Sequence, residues 1–85
     1  MSQIRQLHRG YIVQATSFAI RGGGYTPHLD LIKHSRAYSD ETPVHTGKVF
    51  ASDEAALEGG IAIGKDMIDA GFVPNKIVIV QNWRD

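Results

Sequence analysis

One segment governs what this chain can fold into: an amphipathic helix with signals at both ends, running from Ser52 to Gly71. Ser52 offers a side-chain acceptor just ahead of the run, and Asp53 and Glu54 follow where the helix dipole is positive. Leu57, Ile61, Gly64 and Ile68 make an apolar stripe at helical spacing, widened by Ala56, Gly60, Ile63 and Met67. Glu58, Lys65, Asp66 and Asp69 take the other face. Gly71 suits the left-handed residue that closes a helix, with Phe72 folding back onto the last turn. A helix apolar on one stripe must lie on a second layer, so the rest of the chain has to supply that layer.

Gly59, Gly60 and Gly64 lie inside this helix, each at a cost of about 1 kcal/mol relative to alanine. Gly60 and Gly64 fall on the apolar side and predict a close approach to a sheet. The competing reading is a helix-dimer seam of the GxxxG kind. That motif works in apolar membrane segments, and charges recur throughout this one.

Residues 11–20 are rich in β-branched and aromatic side chains and predict a strand. Residues 21–24, Arg-Gly-Gly-Gly, form a turn, since glycine reaches positive φ without a steric penalty. Residues 25–34 predict the second strand of a hairpin. Tyr25, Pro27, Leu29 and Leu31 share one face; Thr26, His28, Asp30, Ile32 and His34 share the other. Pro27 cannot donate to a ladder and points to an edge. Residues 35–43 are polar and read as a loop, residues 44–51 as a third strand leading into the helix, and residues 76–81 as a fourth. Residues 3–9 offer a short extra strand. The prediction is a single α+β domain over residues 1–85. It is a three-stranded antiparallel meander with one amphipathic helix packed on one face and a C-terminal strand, in the order β-β-β-α-β.

At 85 residues the core is modest, and sharing a core between copies is a common remedy. The apolar run Ile77, Val78, Ile79, Val80 therefore has two destinations: an edge of its own sheet, or the same strand of a second copy in a homodimer. The chain has no cysteine, which removes disulfides and thiolate metal sites and suits a reducing cytoplasm. The N-terminus has no apolar signal core and no stretch is long enough to span a bilayer, so no membrane role is predicted. Formal net charge is zero, but residues 1–39 carry five cations against one acid, and residues 40–75 seven acids against two cations.

The chemistry-bearing residues form no familiar constellation. His8, His28, His34 and His45 match no metal-binding spacing. His28 and His34 are about 20 Å apart on an extended strand at ~3.3 Å per residue. Only His28 with Asp30, joined by His45 from the next strand, is geometrically compatible with one ion. Gly22, Gly23 and Gly24 lie between two strands, where a phosphate loop would need a following helix. No nucleophile elbow is present. The residues thus predict no catalytic, cofactor or metal site and no enzyme. They predict a binding or accessory protein with a polypeptide partner. Its candidate surface comprises Arg21, His28, Asp30, Ile32, Lys33, His34, Arg36 and Trp83. Second to this stands a nucleic-acid-binding sheet, with Tyr11, Phe18, Tyr25, Tyr38 and Phe50 as stacking aromatics. Zero net charge weighs against strong phosphate binding.

Four short stretches resemble a group of small uncharacterised proteobacterial proteins: residues 8–12 (His-Arg-Gly-Tyr-Ile), the glycine run 22–24, residues 50–55 (Phe-Ala-Ser-Asp-Glu-Ala) and residues 64–69 (Gly-Lys-Asp-Met-Ile-Asp). The resemblance spans residues 8–71 and implies an α+β fold and a bacterial origin. Residues 52–57 are also similar to the start of the helix in the partial RNase H-like domain of HicB-type antitoxins. This chain lacks that domain's Pro-Asp-Leu-Pro-Gly segment and its appended DNA-binding domain. The nucleic-acid reading would thus be HicB-like or double-stranded-RNA-binding-like.

Overall fold

The computed structural model describes residues 2–34, 39–72 and 78–79. Five strands and one helix occur among them: β1 (Ser2–His8), β2 (Tyr11–Ala19), β3 (Tyr25–His34), β4 (Ser39–His45), α1 (Asp53–Asp69) and the two-residue β5 (Val78–Ile79). The first four form an antiparallel meander in sequence order. β5 adds to β4 in parallel, Val44 beside Val78 and His45 beside Ile79. A parallel neighbour is what a strand–helix–strand crossover produces.

This corrects the predicted three-stranded β-β-β-α-β order. Four antiparallel strands, not three, precede the helix, giving β-β-β-β-α with the two-residue β5 after it. Two local causes account for the difference. First, the segment ahead of Tyr11 is a full strand, turned back by Arg9 and Gly10 at φ 50° and 83°. Both residues of this two-residue turn are left-handed, the geometry of a type I′ hairpin. Second, the third predicted strand is displaced. Residues 39–43, read as loop for their polarity, pair with β3, whereas Gly47 at φ 68° ends the strand soon after His45. The chain then returns to β3 through a single bridge, Tyr25 N–H to Phe50 O at 2.8 Å and Phe50 N–H to Tyr25 O at 2.7 Å. β3 as a whole is paired on both sides, but Pro27 pairs only with Ser17 of β2: the β4 ladder begins at the next residue, His28, so the missing donor falls where β4 offers no partner.

α1 begins and ends as its sequence dictates. Ser52 is extended, and its Oγ accepts from Ala55 N–H at 3.0 Å. At the other end Gly71 adopts φ 86°. Its N–H donates to Ile68 O at 3.1 Å, and Phe72 N–H donates to Met67 O at 3.0 Å. These paired bonds are those of a Schellman closure. The buried stripe is Ala56, Leu57, Gly60, Ile61, Gly64 and Met67, so Met67 takes the buried place predicted for Ile68, which is half-buried. The two glycines set that rotation. A Cβ on Gly60 would lie 2.8 Å from Leu29 Cδ2, and one on Gly64 only 2.5 Å from Val13 Cγ1. The helix backbone thus rests directly on β2 and β3.

The core consists of Val13, Ala15, Leu29, Leu31 and Val44 from the sheet, and Leu57, Ile61 and Met67 from the helix. Burying each large aliphatic side chain contributes ~1.5–3 kcal/mol. Tyr11 extends the core, meeting Phe72 edge-on at 5.6 Å between centroids. Among the described residues no helix is long and apolar enough to cross a membrane.

Candidate interaction surface

The helix covers only one side of the sheet. Strand alternation puts Tyr11, Val13, Ala15, Pro27, Leu29, Leu31, Thr42 and Val44 beneath it, so their neighbours point to the other side. The register aligns those neighbours in three rows across the strands: Gln3, Thr16, His28 and His45; Arg5, Gln14, Asp30 and Pro43; Leu7, Ile12, Ile32 and Glu41. Phe18 extends this face toward the glycine turn.

The middle of the face is a hydrogen-bonded polar strip. Arg5 Nε donates to Gln14 Oε1 at 2.7 Å, and Gln14 Nε2 donates to Asp30 Oδ2 at 3.5 Å. Gln3 Nε2 donates to Thr16 Oγ1 at 3.1 Å. His28 Nε2 stands 4.0 Å from Asp30 Oδ1, and the rings of His28 and His45 are tilted against each other at 4.9 Å. Such cross-strand links fix side chains in place and stabilise the sheet. Leu7 and Phe18 flank the strip and are 72% and 40% exposed. Among the described residues the face carries Arg5 against Asp30 and Glu41, which does not make a cationic surface.

The predicted surface residues separate on this framework. His28, Asp30, Ile32 and His34 lie on the open face. Ile32 is only 6% exposed, which limits it to supporting its neighbours. Lys33 belongs to the helix side, where its Nζ stands 4.9 Å above the Tyr11 ring. Arg21 occupies the exposed turn after β2. Arg36 and Trp83 lie outside the described residues, as do Tyr38, Ile77 and Val80. Gln14 and Arg5 escaped the sequence reading because their common face depends on β1, whereas His45, expected there beside His28 and Asp30, reaches the face through the register of β4. Among the proposed stacking aromatics, Tyr11 is buried under the helix side, Tyr25 and Phe50 are half-buried, and Phe18 alone of these four is exposed on the open face.

A second polar group joins the first hairpin to the end of the helix. His8 Nε2 lies 2.9 Å from Asp69 Oδ1, and Arg9 Nε donates to the same oxygen at 2.8 Å. The hydrogen bond from His8, with the charges of His8 and Arg9, holds the Asp69 carboxyl below the usual carboxylate range. Arg9 also places a cation at the negative end of the helix dipole. Among the described residues no group of three or more His, Asp or Glu side chains is arranged to hold a metal ion. No family model, curated protein or solved structure matches this chain.

Proposed function

We propose that this protein is a non-catalytic binding module that docks a polypeptide partner on the face of its sheet opposite the helix. The observation that carries this reading is the make-up of that face: exposed Leu7 and Phe18 flanking the pre-arranged strip Arg5–Gln14–Asp30. Apolar anchors beside fixed hydrogen-bonding groups suit a polypeptide surface. Phosphate binding is mainly electrostatic, and one arginine facing two carboxylates gives little attraction for a nucleic acid. The resemblance to small proteobacterial proteins supports a bacterial origin, and the lack of cysteine suits a cytoplasmic setting.

The test is affinity capture of the tagged protein from its host, with and without nuclease, beside the variant Phe18→Asp. A partner retained after nuclease and in raised salt, and lost from Phe18→Asp, supports the reading. A partner released by nuclease overturns it in favour of the nucleic-acid sheet.

A further inference from the structure

The two edges of the sheet are unequal. The β4 edge contains Pro43 and receives β5 from its own chain. Among the described residues the β1 edge has neither device. β1 pairs with β2 without a bulge from Ser2 to His8, contains no proline, and has Arg5 as its one permanent charge. Proteins usually blunt such an edge, because its free N–H and C=O groups form a template for another strand. Here the one charge that could guard it is drawn inward, since Arg5 bonds to Gln14 over the sheet face.

The hairpin turn fixes which backbone groups face outward. In a two-residue hairpin the closing residues, here His8 and Tyr11, form a hydrogen-bonded pair. Counting back by twos, Ser2, Ile4 and Gln6 direct their backbone groups to β2. Gln3, Arg5 and Leu7 therefore direct theirs to the edge.

Beside this edge, on the helix side, lies a cleft of about 290 Å³ lined by Ile4, Gln6, Glu58, Ile61, Ala62 and Lys65. Its charges are self-complementary. Glu58 and Lys65 lie on the same flank of α1, on either side of Ile61 and Ala62. A two-fold axis beside Ile4 reverses the helix direction, so Glu58 of one copy faces the partner's Lys65, and the reverse.

We propose that β1 is a self-pairing edge: two copies of this chain join antiparallel through residues 2–6 about a two-fold axis at Ile4, making one continuous sheet. Ile4, 39% exposed in the single chain, meets the partner's Ile4 on the helix side, and Gln3 pairs with the partner's Arg5. The neighbouring register that sets Arg5 against the partner's Arg5 places like charges opposite each other and is disfavoured. The two clefts merge over the joined strands. The uncovered faces become one surface of twice the length, so a partner would meet two sites on one assembly. This edge shares Gln3, Arg5 and Leu7 with the open face, but the pairing runs through backbone groups and does not depend on the reading proposed above.

The register makes the test specific, because the chain has no cysteine. Ile4 facing its copy is a non-hydrogen-bonded antiparallel pair, with Cα atoms about 4.5 Å apart, within disulfide range. Ile4→Cys should convert to a covalent dimer on mild oxidation, while Leu7→Cys, on the more exposed side chain, should stay uncrosslinked. In sedimentation equilibrium the full chain should be dimeric at high micromolar concentration. Gln3→Pro should be monomeric with an unchanged circular dichroism spectrum, since it removes an outward donor and leaves the β1–β2 ladder intact. A monomeric full chain, equal crosslinking of both cysteine variants, or a dimer that survives Gln3→Pro would each overturn the proposal. A dimer lost only when the chain is cut after Asn75 would also overturn it, assigning association to the C-terminal segment. Partner capture through Phe18 is read separately, so failure of one proposal leaves the other standing.

Discussion

Gly64→Ala tests the contact that organises the two layers. The added Cβ would stand 2.5 Å from Val13 Cγ1 and 3.2 Å from Leu31 Cδ2. Carbon atoms are comfortable at ~3.5–4.0 Å, so Val13 would have to yield by ~1 Å. Val13 is fully buried on a strand paired on both sides, and it has little room to do so. Two effects oppose each other. Alanine in place of glycine gains ~1 kcal/mol of helix propensity. Overpacking a core costs ~1–3 kcal/mol, and a contact this short belongs at the upper end. The net expectation is a loss of ~1–2 kcal/mol, or a fall in Tm of roughly 5–15 °C for a domain of this size. Urea denaturation followed by far-UV circular dichroism measures it. Val13→Ala removes the obstructing Cγ1, so in that background Gly64→Ala should cost less by ~1–3 kcal/mol. A Gly64→Ala variant stabilised by ~1 kcal/mol, or one showing no coupling to Val13, would refute the close-contact argument.

Leu57→Ala and Ile61→Ala should each cost ~2–5 kcal/mol in the same assay, as both side chains are buried against the sheet; losses below ~1 kcal/mol at both would reject the helix orientation. Asp69 makes a pH-dependent contribution. Its carboxyl is held below the ordinary value of 3.8, so its stabilisation is complete above that value and is lost as pH falls through the lowered one. The stability difference between wild type and Asp69→Asn should therefore be present at about pH 5 and shrink toward zero as pH falls through the lowered value; a difference that grows in acid contradicts the His8–Asp69–Arg9 link. Zinc or nickel should leave Tm nearly unchanged, because a ligand that binds only the folded state must raise it. A large rise that disappears with His28→Ala or His45→Ala would establish a metal site on the open face.

Local signals in the sequence determined the helix and its ends. Ser52, Asp53, Glu54 and Gly71 act through groups within a turn of each other, so their roles could be read without knowing the fold. The same holds for the first hairpin strand and the glycine turn, and for the alternation that put His28, Asp30, Ile32 and His34 on one face. Pairing was a different matter. β1 is mostly polar because it lies at an edge, and residues 39–43 are polar because one side of β4 faces solvent. The pattern over residues 3–9 supports only a short extra strand, and that over residues 39–43 announces none. Which strands neighbour one another, and where Gly47 ends β4, depend on hydrogen bonds between residues far apart in the chain. That tertiary pairing brought His45 beside His28 and linked Arg5 through Gln14 to Asp30. It also placed Val78–Ile79 on β4 of its own chain and left β1 as the sheet's other edge among the described residues.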